Sequence, residues 1–211
     1  MGTTSSGPAR DFDAAMRAAH FDEYRGSCFI GLCLPGVKHP FSSTGFGQEG
    51  FPWTISGRRW LSSWYGVGFS SGVSKIGATF GQQRDTGEYL TVHYRVTTAT
   101  PLLIVRPGHG AHTGVGPSLV SSTFSTEAPG GYGTFETQTR RRVGLMWELG
   151  LSVPPRSRMF GEFLLQYRYV GRVDAGPFSA TNLFTGVPST LPQTPVSMNH
   201  WFAGFGAGVR F

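Results

Sequence analysis

The last thirteen residues of the chain, Asn199-His-Trp-Phe-Ala-Gly-Phe-Gly-Ala-Gly-Val-Arg-Phe211, constrain its fold most. Read alternately, Trp201, Ala203, Phe205, Ala207, Val209 and Phe211 make one apolar face. His200, Gly204, Gly206, Gly208 and Arg210 make the other, which is small or polar except for Phe202. A period of two belongs to a β-strand lying between two different environments. So many glycines would weaken a strand of an ordinary sandwich. They suit a tightly curved sheet with a crowded inside and an apolar outside turned toward lipid.

Composition fits such a sheet. Gly supplies 31 of 211 residues, about twice the usual share. Charged residues are 14%, well below the ~25% of soluble chains, and aromatics are also 14%. No run of eighteen apolar residues exists, which excludes a transmembrane helix. Barrel strands turn only half their residues to lipid, which keeps mean hydropathy near zero, here -0.13. Composition alone favours a soluble Gly-rich all-β domain. The net charge is +6, and Lys38 and Lys75 are the only basic residues that are not Arg. No basic stripe with interleaved aromatics is present, so nucleic acid is not an expected partner. Arg near strand ends instead suits phosphate headgroups, through bidentate hydrogen bonds. Cys28 and Cys33 enclose four residues and can close a disulfide in an oxidising compartment. With no second cysteine pair, they are not expected to hold a metal.

Residues 1–56 are weakly patterned, with a short polar helix at best over 11–20 and an apolar run over 27–34 that reads as a strand or a plug. From Trp60 the alternation sharpens. Val67, Phe69 and Val73 oppose Gly66, Gly68, Ser70 and Gly72. Residues 75–88 then read as a polar connection. Leu90, Val92, Tyr94 and Val96 share a face opposite Thr91, His93, Arg95 and Thr97, and the run continues to Val105. A third strand covers about 112–124. The fourth is the clearest, with Val143, Leu145, Trp147, Leu149, Leu151 and Val153 facing one way and Arg142, Gly144, Met146, Glu148, Gly150 and Ser152 the other. A fifth places Phe163, Leu165, Tyr167 and Tyr169 opposite Glu162, Leu164, Gln166 and Arg168. The connections alternate long and short, which is how outer-membrane barrels arrange outer loops and periplasmic turns. This places 75–88, 125–138 and 174–198 outside, and 106–111 and 154–158 inside.

Six strands are clear, and a small closed barrel needs eight. The missing pair is to come from 20–56, from a split of 89–105, or from another chain. Trp64-Tyr-Gly-Val-Gly68, Gly114-Val-Gly-Pro-Ser118, Val143-Gly-Leu-Met-Trp-Glu-Leu-Gly150 and Gly204-Phe-Gly-Ala-Gly-Val-Arg-Phe211, in this order, resemble the small bacterial outer-membrane β-barrels of the OmpX, OmpW and OmpA-transmembrane type. The resemblance covers residues 60–211. It implies an antiparallel up-and-down transmembrane barrel over 57–211, preceded by a loop-rich segment, 1–56, that adds strands or a plug. It also implies contact with outer-membrane lipid, and use of the terminal Phe211 by the barrel-assembly machinery. Such a protein is exported on a secretory signal, and Met1–Arg10 carries no apolar core of one. The reading therefore takes this start as processed, engineered, or preceded by residues not included.

The small, polar face carries His93, Arg95, Arg142, Glu148, Glu162, Gln166, Arg168, His200 and Arg210. Charges of both signs inside a narrow barrel must pair, so Arg95, Arg142, Glu148, Glu162, Arg168 and Arg210 are expected to form an interior network that fills it. A proton path or a catalytic site is the less favoured use of the same residues. Arg140 and Arg141 are expected at the outer rim, where they meet lipid phosphates or are simply solvated. His109 and His112 straddle a turn without a nearby carboxylate, a poor metal site. Ser118, Ser152, His93 and His200 share a face without a family signature for nucleophilic catalysis. The expected function is structural or loop-mediated binding, without catalysis or a cofactor. The alternatives are a soluble exported calycin-like barrel with an apolar ligand and, less favoured, a membrane-embedded lipid-modifying enzyme.

Overall fold

The computed structural model describes residues 2–4, 7–24, 28–29, 32–33, 38–40, 52–108, 110–127, 136–155 and 157–210. Strand accounts for 75% of the structure and helix for 5%, which makes the chain all-β. In chain order the elements are β1 (Gly2–Thr4), helix α1 (Gly7–Ala18), β2 (Phe21–Tyr24), β3 (Cys28–Phe29), β4 (Leu32–Cys33), β5 (Lys38–Pro40), β6 (Trp53–Trp60), β7 (Tyr65–Gln83), β8 (Tyr89–Gly108) and β9 (Ala111–Glu127). They continue with β10 (Thr137–Val153), β11 (Met159–Tyr169), β12 (Arg172–Ala175), β13 (Phe178–Thr181), β14 (Pro188–Leu191), β15 (Thr194–Ser197) and β16 (His200–Val209).

The strands β6, β7, β8, β9, β10, β11 and β16 pair in that order, all antiparallel, into one strongly curled half-barrel sheet. At one edge β1 pairs with β16, Gly2 opposite Gly204. At the other edge β7 takes β6 along its first half, and Phe21 and Asp22 of β2 opposite Gln83 and Gln82. We call lower the end where β16 finishes.

The strands fall into two lengths. β6, β11 and β16 have 8, 11 and 10 residues, and β7 to β10 have 19, 20, 17 and 17. The lower half therefore has a seven-stranded wall, and β7–β10 alone continue upward. What completes the upper half is the segment after β11. β12 pairs with β15 and β13 with β14, so that residues 172–197 fold back as one long hairpin rather than as the open loop expected over 174–198. Its alternation was hidden by prolines. Val173, Ala175, Phe178, Ala180, Leu191, Val196 and Met198 are all buried.

Helix α1 enters this upper space and buries Phe12 and Met16 completely. Phe12 lies 6.1 Å from Tyr94, 5.8 Å from Phe124 and 6.2 Å from Phe178, centroid to centroid. Leu90, Val92, Tyr94 and Val96 complete the same core. Their apolar face is thus inside, and His93 and Arg95 are outside, the reverse of the expected placement. The reason is that the upper interior is packed by α1 and the hairpin. Asp11 accepts a hydrogen bond from the Ser197 amide at 2.7 Å, which ties α1 to β15. Glu88 takes hydrogen bonds from Asn182 Nδ2 at 2.8 Å and Thr185 Oγ1 at 2.6 Å, which pins the tip of the hairpin.

Two further expectations are corrected, and one open alternative is closed. The first wall strand covers 53–60 and crosses the boundary placed at 56/57; its inward residues Thr54, Ser56 and Arg58 are polar, so no apolar periodicity marked it. Residues 75–83 are strand and not loop. A bulge between Val73 and Lys75 shifts the parity, which breaks the alternation without ending the strand. The run 89–105 stays one strand. Phe211, His109 and most of the 125–138 connection lie outside the described residues.

Truncating Phe12 removes the centre of the upper core. Phe12→Ala is expected to cost about 3–5 kcal/mol of stability, read by chemical unfolding. In the short pair β3–β4 the backbone of Cys28 lies directly opposite that of Cys33, and cross-strand neighbours sit within disulfide range. Freshly isolated protein should therefore gain two hydrogens in mass on reduction, and two free thiols before reduction would refute the bridge.

Candidate functional site

The lower interior is where strands that are not neighbours meet. Arg58 on β6 reaches across to β10 and β11. Its Nη2 donates to Glu148 Oε1 at 3.0 Å and its Nη1 to Glu162 Oε1 at 2.6 Å. Alternation puts these side chains inward: Arg58 is opposite Gly68, Glu148 opposite Gly114, and Glu162 opposite Gly206, so each long polar chain faces a residue that leaves it room. The planar guanidinium serves two carboxylates at once, which a lysine could not do with fixed geometry.

Further partners surround the pair. His112 Nε2 approaches Glu148 Oε1 at 3.3 Å, and Ser152 Oγ donates to Glu162 Oε1 at 3.4 Å. Gln166 Nε2 donates to Glu148 Oε2 at 2.7 Å, and Arg168 Nη2 to Gln166 Oε1 at 2.7 Å. Gln166 also reaches Ser70 Oγ at 3.3 Å, which Thr54 Oγ1 meets at 3.1 Å. The network joins five wall strands. Glu148, Gln166 and Arg168 are fully buried, and Arg58 and Glu162 nearly so. The His112 ring lies over Gly150, where any Cβ would overlap the imidazole. A smaller apolar group, Leu102, Ile104 and Met146 with Trp60 against it, shares this interior.

Of the six residues expected inside, the structure brings Glu148, Glu162 and Arg168 together. Arg95 points outward from β8. Arg142 has the inward parity but is exposed; β11 stops at Tyr169 opposite Leu145, so that part of β10 is paired on its β9 side alone. Arg210 sits at the lower rim, donating to the Pro155 carbonyl at 2.8 Å. The cation between the two carboxylates is Arg58, which sequence reading passed over because it precedes the first clear strand. The signal available was the alternation of Thr54, Ser56 and Arg58 against Trp53 and Ile55. His112 is in this network and not in a turn.

The other candidate groups are dispersed. Ser118 accepts from Thr100 Oγ1 at 2.7 Å, His93 pairs with Glu127 at 3.0 Å, and His200 Nδ1 donates to the Met198 carbonyl at 2.7 Å. Among the described residues no serine hydroxyl hydrogen-bonds the His112 ring and no group of three metal-ligating side chains converges. Chemically, the cluster is an ion-pair network in which the carboxylates are engaged, while Arg58 Nε and Arg168 Nε and Nη1 are buried without a hydrogen-bond partner among the described residues.

The outer face of the lower half is apolar. Val143, Leu145, Leu149, Leu151, Val67, Phe69, Leu103, Val115, Leu119, Phe163, Trp201 and Phe205 are all exposed there. Tyr167 packs on Trp201 at 4.5 Å toward the upper margin, and Trp64 on Tyr65 at 4.9 Å at the lower. No family model matches the chain, and no curated protein matches it in sequence.

Removing Arg58 leaves two buried carboxylates facing each other. Arg58→Met should cost about 3–5 kcal/mol in chemical unfolding. Arg172→Met, an exposed site, should stay within about 0.5 kcal/mol. Equal effects would show that the network does not hold the lower wall.

Proposed function

We propose that this chain is a small bacterial outer-membrane β-barrel protein, with its lower half in the bilayer and its upper half projecting from it. Its role is structural or loop-mediated binding, without catalysis. One observation carries the reading: in the lower half an apolar belt is exposed while a charged network of Arg58, Glu148, Glu162 and Arg168 is buried, beside a small apolar group. A soluble domain does not expose so continuous an apolar belt, since patches beyond a few hundred Å² mark a surface that meets something. The height of the belt is that of β11 and β16, 11 and 10 residues, against the ~9–11 that a tilted strand needs to span a bilayer. Aromatics at its two margins fit the interfacial girdles of such barrels.

No helix among the described residues is long and apolar enough to cross a membrane, so any crossing is by strands. Closure follows from the same reading. Lipid leaves no backbone group unsatisfied, so the edges at β6 and at β16 with β1 must be sealed in place. β1 runs opposite to β16, and β6 runs parallel to β16. A strand between them would therefore be antiparallel to both and would bring the wall to eight; β1, three residues paired with β16 at Phe202–Gly204, has the direction such a strand needs.

The calycin reading requires an apolar interior open to a ligand. The upper half has the apolar interior, but Phe12, Met16 and Phe178 occupy it. The same packing, with the charged network below, favours a closed barrel over a pore. A lipid-modifying enzyme would need a nucleophile beside a free base; Ser118 bonds Thr100, and the Glu162 carboxylate that Ser152 meets at 3.4 Å is already held by Arg58 at 2.6 Å. What the upper half offers to partners is the pinned hairpin tip, where Leu183 and Phe184 are 68% and 78% exposed.

Leu149→Arg, within the belt, is expected to cost about 2–4 kcal/mol when unfolding is followed in phospholipid vesicles. Thr139→Arg, above the belt, should be nearly neutral. A wild-type protein that stays monodisperse without detergent would favour the soluble barrel, and stable porin-like conductance in planar bilayers would sink the closed one.

A further inference from the structure

The outer face of β8–β10 changes character over a single row of paired residues. The last apolar row is Ala99–Leu119–Val143. The next above it is Thr97–Ser121–Arg141, and the next Arg95–Thr123–Thr139. Two guanidiniums and four hydroxyls thus stand together on the outer face, directly over the belt. No carboxylate lies in either row. The acidic residue of this face, Glu127, is two rows higher, opposite Thr91, and is held by His93 at 3.0 Å. Arg95 and Arg141 are exposed, and among the described residues neither forms an ion pair. Arg140, the other expected phosphate contact, is committed differently. Its Nε donates to the Asp174 carbonyl at 3.1 Å and its Nη2 to Gln138 Oε1 at 3.3 Å, which straps β10 to the hairpin.

Such a patch fits a ligand with an anionic, hydrogen-bond-accepting head and an apolar body. We infer that the outer face of β8–β10 binds a phosphorylated lipid, its phosphate on Arg95 and Arg141 and its acyl chains on Leu103, Val115, Leu119, Val143 and Leu145. This rests on the bilayer reading above and deepens it by naming the headgroup chemistry and its residues. Arg is the side chain suited to phosphate, through two parallel N–H donors, and the arginines are the principal donors here because Thr97 donates to the Ser121 carbonyl at 3.3 Å and Thr123 and Thr139 meet each other at 3.4 Å. The two arginines are separated by two strand spacings and two residues, about 10 Å by about 7 Å, so that both can turn to one headgroup. Apolar rows beneath a cationic row select a lipid over a free phosphate, because only a lipid satisfies both.

The test is native mass spectrometry of the detergent-solubilised full chain and of its Arg95→Gln/Arg141→Gln variant. Each is offered phosphatidic acid, diacylglycerol with the same acyl chains, or glycerol 3-phosphate. Wild type should retain phosphatidic acid at least about tenfold better than diacylglycerol, since two charge-assisted contacts distinguish them. The double variant should bring phosphatidic acid down to the diacylglycerol level at unchanged melting temperature. Arg140→Gln should leave retention as in wild type. Equal retention of the two lipids by wild type, or undiminished retention by the double variant, overturns the proposal. Glycerol 3-phosphate held as well as phosphatidic acid also overturns it and makes the patch a plain anion site. A protein that requires detergent yet shows equal lipid retention fails this inference alone. One that needs no detergent and retains neither lipid fails the bilayer reading with it.

Discussion

Arg58 and its two carboxylates are the interaction on which the lower half depends. Glu148 and Glu162 come from β10 and β11, on the far side of the wall from β6. Backbone pairing alone would let a seven-stranded sheet remain open. A guanidinium that must reach both carboxylates, in an interior that water barely enters, requires the sheet to curl until β6 faces β10 and β11. Burial makes the requirement strict, because either sign left alone there is expensive. The neighbours then follow: His112 and Gln166 occupy the remaining positions on Glu148, and Gly150 is small because His112 lies on it.

The two halves of the molecule solve the same problem with opposite partitions. Below, charge is inside and apolar side chains are outside. Above, α1 and the hairpin fill the interior with apolar groups, and the outer face of β8–β10 turns to Thr, Ser, His and Arg. The strands β7–β10 run through both halves, and the outer face of β8 passes midway from Leu103 and Val105 to Thr97 and Arg95, while its inner face carries buried apolar residues in both halves, Leu102 and Ile104 below and Tyr94 and Val96 above. On β7 the bulge between Val73 and Lys75 falls close to this level, and it changes which residues face inward as the interior changes.

Position in the fold also separates arginines that look alike in sequence. Arg140, Arg141 and Arg142 are consecutive, yet one straps β10 to the hairpin, one stands over the apolar belt, and one lies beside a stretch of β10 that β11 does not reach. Arg58 and Arg59 differ in the same way, one in the network and one outside.

Alternation in the sequence determined the all-β class, the cores of β9, β10 and β11, and the shared interior position of Glu148, Glu162, Gln166 and Arg168, but not the upper ends of β9 and β10, which run to Glu127 and from Thr137. Period two is a local property, and it is legible wherever the two faces of a strand meet environments of constant contrast. It failed where contrast vanished or reversed. β6 has polar residues inward and a mixed outside, β7 carries a bulge, β8 has apolar residues on both faces in its lower part, and the hairpin of 172–197 is interrupted by prolines. Which face of a strand is inside is decided by what fills the interior, and that depends on α1 and the hairpin, more than one hundred and fifty residues apart in the chain. The partner of a buried charge is likewise a tertiary property. Arg58 lies ninety residues from Glu148, and only the curl of the whole sheet brings them together.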